Sequence, residues 1–358
     1  MFLAGAYFGA YFKGDMMNLT YAKAPLAIKA VETLSTLQKR FITKLDALCD
    51  IEKPFEPVTW GRDGGMHGGG TRFVASDERV FDRASVNFSQ VHYDDMPEKK
   101  LSSATAISTI IHPRNPHVPS MHMHISWTEM RDGKGYWRVM ADLNPSIINA
   151  DEKASFDAML KEAAGRHYEL GSTQGDKYFN IAALERTRGV SHFYLEGFSS
   201  DDTEADALFA QSFGEAVIDR YIEIITNAMQ RRTAITTDDE QQQLAYHTLY
   251  LFQVLTLDRG TTSGLMVHSQ NDVGILGSIP SHIDVALLRS WRERLSRPQD
   301  ALLDAIVDAL GTESICEVNE AVKVRLALAV REHYKTYPEA LSLQASGFTT
   351  PPTVQNHK

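Results

Sequence analysis

The sequence predicts an α+β domain, on three observations. Residues Met121–Trp127 alternate strictly, Met-His-Met-His-Ile-Ser-Trp, which is the two-residue period of a strand with one apolar face. Strand-like segments follow one another from Val80 to Leu143 with only turns between them, as in an antiparallel meander. Long helical segments stand before and after this block rather than between its strands, which argues against βαβ units.

Leu26–Cys49 reads as an amphipathic helix, with Ile28, Val31, Leu34, Leu37, Ile42, Leu45 and Leu48 at three- and four-residue steps. Gly61–Gly70 is rich in glycine. Its end, Gly68-Gly69-Gly70-Thr71-Arg72, is only superficially a phosphate cradle, because it lacks the Lys-Ser/Thr of a P-loop and follows no clear strand. It reads as a flexible loop that brings Arg72 near a site. Val80–Val91, Ala106–Ile111, Met121–Glu129 and Tyr136–Leu143 read as strands, with Pro113, Pro116 and Pro119 setting one turn and Asp132–Gly135 another.

Further on, Asp151–Tyr168, Asp176–Arg186 and Glu204–Gln230 read as helices. Leu249–Leu257 reads as a final apolar strand, and Leu265–Val267 and Val273–Ile279 as short strands around a polar turn. Ala301–Leu310 and Glu317–Tyr334 read as C-terminal helices. Residues 1–25 are an N-terminal extension that need not be ordered, 26–340 a single domain, and 341–358 a disordered tail carrying Pro351 and Pro352.

The formal net charge of −10 excludes a general nucleic-acid binder. An anionic ligand would need clustered Arg or His. Cys49 and Cys316 are far apart and form no CxxC, which fits a reducing cytoplasm. The apolar start is broken by Lys13 and Asp15, too soon for a transmembrane helix, and it lacks the basic flank of a signal peptide. Met16 and Met17 are alternative starts to Met1.

Ser108–Trp127 holds His112, His117, His122 and His124 around its proline turn. The alternation turns Met121, Met123, Ile125 and Trp127 toward a core and His122, His124 and Ser126 to the other face. Three readings stay open for these histidines. Acid–base or carboxylate-binding work is preferred. A transition metal, with His112 and His122 as ligands across a hairpin, lacks a nearby carboxylate, since Glu129 falls on the face of Met123. A purely structural role is the third. Arg188-Gly189 and Asp258-Arg259-Gly260-Thr261, taken alone, read as turns.

Five blocks in order bear a family likeness. They are Val86–His92 with Asp95-Met96-Pro97, Ser108 with His112–Pro119, Asp142-Leu143-Asn144-Pro145, Arg188-Gly189, and Asp258–Thr261. Over residues 60–285 the chain resembles the oxygen-dependent coproporphyrinogen III oxidases. The resemblance implies a large central antiparallel β-sheet flanked by helices on both sides, in a homodimer. It also implies oxidative decarboxylation of two propionates of coproporphyrinogen III to vinyl groups, for haem biosynthesis. The products are protoporphyrinogen IX, carbon dioxide and hydrogen peroxide. Dioxygen is the oxidant, no organic cofactor is required, and a divalent metal is not favoured.

His122 matches the family's general acid. Asp142 is the candidate carboxylate to accept pyrrole N–H groups. Ser108, His112, His124, Arg72, Arg188, Arg259 and His268 are candidate substrate-binding residues, with Arg114 a further guanidinium.

The chain departs from the family pattern at several points. Where the motif reads His-x-Asn-x-Arg, this chain has His122-Met123-His124-Ile125-Ser126. His268-Ser269-Gln270 replaces a Gly-Gly-Arg turn, and Leu195-Glu196-Gly197 replaces Phe-Asp-Asp. Two further family histidines fall near Asp157 and Ala183, so a four-histidine metal site is not supported. His124 and His268 are expected to stand in for the missing guanidinium groups. Two other functions stay open: a non-catalytic tetrapyrrole-binding paralogue, and a His-based metalloenzyme on another substrate.

Overall fold

Seven antiparallel strands form the central sheet, in the order in which they occur in the chain. The structure is a computed structural model, and it describes residues 18–231, 233–348 and 353–357. The expected N-terminal extension falls mostly outside the described residues. The strands are β1 (Glu56–Gly61), β2 (Gly68–Val74), β3 (Phe81–His92), β4 (Leu101–Pro113), β5 (Ser120–Met130), β6 (Gly135–Asn144) and β7 (Ser191–Phe198). The α+β class and the meander are therefore as the alternation predicts.

One sheet face carries Val86, Ile107, Met121, Met123, Ile125, Val139 and Leu143, all buried. Helices α1 (Pro25–Asp46), α2 (Ala150–Ala164) and α4 (Thr203–Gln230) cover it. Burying each such side chain contributes about 1.5–3 kcal/mol. This packing is why the Met121–Trp127 alternation holds one register, since a one-residue slip would turn both methionines outward. Caps mark the helix starts. Asn149 Oδ1 accepts from Asp151 N and Glu152 N, and Asp202 Oδ1 accepts from Ala205 N.

The second face meets the C-terminal half: α5 (Thr237–Thr256), α6 (Arg259–Val267), α7 (Gln299–Leu310) and α8 (Glu320–Thr336). Helix α3 (Tyr168–Tyr178) lies against β7. Gly171 and Gly175 permit this approach, because a Cβ on Gly171 would sit 2.2 Å from the Phe193 ring.

Several sequence expectations need correction. Leu249–Leu257 belongs almost wholly to helix α5, which starts at a capping box between Thr236 and Asp239. Tyr246 to Thr256 are all buried, so this half of the helix has no polar face and reads like a buried strand. Leu265–Val267 ends α6, and Val273–Ile279 forms short helical turns. Asp176–Arg186 is not a helix; α3 ends at Tyr178 and a small ribbon pairs Asn180–Ile181 with Arg186–Thr187. Gly68–Val74 is a strand rather than a flexible loop, although Arg72 does reach the site. Strands β1 and β7 escaped the sequence reading. The tail expected to be disordered has packed residues: Gln344 Nε2 donates to Thr262 Oγ1 at 2.5 Å and Ala345 N to Leu257 O at 2.9 Å.

Candidate active site

Between the sheet's second face and the C-terminal helices lies a cleft of about 270 Å³. Its floor is built from cross-strand rows. One row runs Ser85, Ile110, His122, Asp142 across β3 to β6. The next runs Arg72, Asn87, Ser108, His124, Met140 from β2 to β6. Asn87, Ser89, Ser108, His122 and His124 all line the cleft, as the polar face of alternating strands should.

His122 Nδ1 lies 3.0 Å from Asp142 Oδ1. Asp142 is fully buried. Its Oδ2 accepts from Arg188 Nη2 at 2.7 Å and from Asn144 Nδ2 at 2.6 Å. Burial by itself would raise the Asp142 carboxyl, but the charges of Arg188 and His122 and these hydrogen bonds outweigh it and hold the group below the usual carboxylate range. Arg188, 1% exposed, also donates from Nη1 to Gln253 Oε1 at 2.7 Å and stacks on the Phe179 ring at 4.6 Å. The turn after it needs a residue without Cβ. Gly189 has φ +80°, and a Cβ there would lie 2.7 Å from Asn144 Oδ1.

Asp142 itself does not line the cleft. Its oxygens are taken by His122, Asn144 and Arg188, so the expectation that it accepts pyrrole N–H groups gives way to one in which it orients His122. The carboxylate at the cleft wall is Asp258, which had read as a turn residue. Its Oδ1 caps α6 by accepting from Thr261 N at 2.7 Å, and its Oδ2 accepts from Tyr178 Oη at 2.8 Å. Burial raises its pKa, yet these bonds and the nearby His122 and Arg188 charges bring it below the ordinary value. The Asp-x-x-Thr spacing was a visible N-cap signal.

Four more predicted residues reach the cleft: Ser108, His124, Arg72 and His268. Arg72 is buried, its Nε has no hydrogen-bond partner, and it forms no ion pair among the described residues. His268 Nδ1 lies 3.2 Å from Arg62 Nη1, and burial with that neighbouring charge lowers its pKa to about 4. His124 Nε2 lies 3.1 Å from Ser126 Oγ; burial, Arg138 and His122 lower its pKa to about 3. Both imidazoles are therefore neutral near pH 7 and do not replace a guanidinium's charge.

His112 and Arg259 are not brought to the cleft. Register places Ile110, not His112, opposite His122. His112 is covered by α5, with its ring 4.6 Å from that of Tyr250 and Nδ1 3.0 Å from Ser120 Oγ. A metal held by His112 and His122 has no support in this geometry, and among the described residues no group of three His, Cys, Asp or Glu could hold one. Arg259 Nη2 donates to Ala345 O at 3.0 Å, behind the wall. Arg114 pairs with Asp82 at 3.2 Å and His117 with Asp239 at 3.3 Å, both outside the cleft. Arg138 and Tyr250 also line it, and no sequence motif marks either.

Comparison with known sequences agrees with this geometry. The profile of the family described as Coproporphyrinogen III oxidase matches residues 29–287. The chain belongs to the coproporphyrinogen III oxidase family. Relatives named oxygen-dependent coproporphyrinogen-III oxidase include the mitochondrial protein of Rattus norvegicus, 29% identical over 296 residues. The protein of Drosophila melanogaster is 29% identical over 293 residues, and that of Rickettsia bellii (strain OSU 85-389) is 32% identical over 243. These matches cover 76%, 75% and 64% of this chain. They cover 64% of the rat protein, less than two thirds, 72% of the fly protein and 84% of the bacterial one. Among the described residues, no helix of this family member is long and apolar enough to cross a membrane.

Proposed function

We propose that this chain is an oxygen-dependent coproporphyrinogen III oxidase. The observation that carries the reading is the His122–Asp142–Arg188 relay at the floor of a cleft that also holds a buried, unpaired guanidinium, Arg72. Each turnover converts one propionate to a vinyl group. The carboxylate carbon leaves as carbon dioxide, and a hydride equivalent from the chain carbon bonded to the pyrrole ring, with one proton, reduces dioxygen to hydrogen peroxide. Two such turnovers give protoporphyrinogen IX.

The residues divide this work by position. Arg72 takes a propionate carboxylate, and a guanidinium is well matched to that task. Asp258, an anion at the wall, accepts pyrrole N–H groups and offsets positive charge that develops on the electron-rich ring. Asp142 accepts a hydrogen bond from His122 Nδ1–H, which leaves Nε2 as the nitrogen that exchanges a proton with substrate or a reduced oxygen species. Arg188 keeps Asp142 anionic. Ser108, Asn87 and neutral His124 complete the polar floor. Dioxygen is the oxidant, and the reaction calls for no organic cofactor and no metal bound by His112.

A cytoplasmic homodimer completes this reading. Cys49 and Cys316 are both free thiols, which suits a reducing compartment. Exposed Val324 and Leu328, four residues apart on α8, offer apolar surface for a second copy. The decisive measurement is aerobic incubation with coproporphyrinogen III, followed by oxidation and detection of protoporphyrin fluorescence, against an anaerobic control. Product only in air supports the oxidase. Porphyrin binding without product would instead identify a non-catalytic tetrapyrrole-binding protein.

A further inference from the structure

Arg138 is a cation at the cleft wall whose bonding is incomplete. It lies on β6 directly opposite Ser126 on β5, with its side chain lining the cleft. Its Nη2 donates to Glu196 Oε1 at 2.8 Å, and the Glu196 side chain is 1% exposed. Arg138 Nε and Glu196 Oε2 are both buried with no hydrogen-bond partner. A buried N–H of a charged group left without an acceptor is costly, and a ligand acceptor removes that cost.

The surroundings indicate what ligand fits. Glu196 does not line the cleft, so the acid holds the guanidinium from behind. Toward the cleft stand Met140, the neutral imidazole of His124 and the phenol of Tyr178, and the Asp258 carboxylate beyond them is engaged by Tyr178 Oη and Thr261 N. The small Ser126 opposite leaves the position open. Arg72 stands four strands away on β2, roughly 19 Å at the usual strand spacing. The cleft thus presents guanidinium groups near both edges of its floor, as a macrocycle with carboxylates around its rim requires.

We propose that Arg138 is a specificity-determining residue that holds one propionate of the porphyrinogen through its unpartnered Nε–H, while Glu196 orients the guanidinium. The propionate it holds is not the one undergoing reaction, since His122 lies four residues along β5 from Ser126, beyond His124. This inference rests on the porphyrinogen reading of the cleft.

The alternative is that Arg138 serves only to neutralise Glu196. The variants R138Q, E196Q and R138Q/E196Q separate the two roles, because the double variant keeps a neutral amide pair and strands no buried charge. The readouts are Kd for coproporphyrin III by fluorescence quenching, and KM and kcat for the porphyrinogen in air. A substrate clamp predicts binding weaker on the order of 10- to 100-fold in R138Q and in the double variant, KM rising with kcat little changed. It also predicts E196Q binding no weaker than wild type, since that change releases positive charge toward the cleft. The double variant binding coproporphyrin as tightly as wild type would overturn the proposal, even if R138Q alone fails to fold. Wild-type binding without turnover refutes the oxidase reading but leaves the clamp standing, whereas a wild-type chain with no affinity for coproporphyrin overturns both.

Discussion

His122 and Asp142 occupy directly opposed positions on adjacent strands, and their contact joins Nδ1 to Oδ1 at 3.0 Å. Twenty residues separate them in the chain. Their meeting depends on the β5–β6 register alone, which the buried methionines of β5 hold in place. The buried anion beside Nδ1 favours the proton there, against the guanidinium of Arg188, whose Nη2 lies 3.3 Å from the same nitrogen.

Replacing His122 by Ala should therefore lower kcat roughly 10²- to 10⁴-fold, the usual contribution of a positioned acid–base group. Thermal unfolding should shift down modestly, since buried Asp142 Oδ1 loses its partner at a cost of about 1–3 kcal/mol. A variant that keeps full turnover would remove His122 from the mechanism.

Asp142→Asn has a different signature. It leaves Arg188, 1% exposed, without its buried counter-charge, at a cost of about 3–5 kcal/mol. Urea unfolding should show this loss together with a fall in kcat. The H122A and D142N effects on rate should be far from additive, because both disable one unit.

Arg72→Gln should trade affinity against stability. The guanidinium is buried with Nε unpartnered, and burial pulls its pKa down with no carboxylate to offset it. Removing it should leave Tm unchanged or higher while KM for the porphyrinogen rises. A lower Tm with unaltered KM would mean that Arg72 is a structural residue.

Acid should destabilise the fold well before the carboxylates titrate. Burial is the largest cause lowering His112 and His247, the latter to about 4, with Asp82 opposing the shift in both. Unfolded, each titrates near 6.5. The native state thus binds fewer protons below that pH, so the stability these neutral rings hold above about 6.5 is lost as pH falls toward 4. The slope is about 1.4 kcal/mol per pH unit for each histidine. Chemical denaturation at pH 7 and pH 5 measures it, and His247→Gln should flatten the dependence.

Gly70→Ala tests the strand that delivers Arg72. A Cβ at Gly70 would lie 2.2 Å from the backbone oxygen of Phe88 on β3, so the strands must part. The expected penalty is about 1–3 kcal/mol by chemical denaturation. A weakened affinity for coproporphyrin should accompany it, because Arg72 is two residues along the same strand.

Much of this molecule is set by local pattern. The alternation of Met121–Trp127, the stepped apolar residues of α1 and the succession of turns between β3 and β6 each carry their own period, and the structure follows them. The five motif blocks likewise mark the family. Other features have no local signature. Helix α5 is buried all round over its second half, so its periodicity vanishes. Arg188 reaches Asp142 across 46 positions of chain, His112 is sealed beneath Tyr250, and Arg138 meets the cleft opposite Ser126. Those placements arise from strand register and from which helix covers which face, and such long-range packing leaves no trace in the spacing of neighbouring residues.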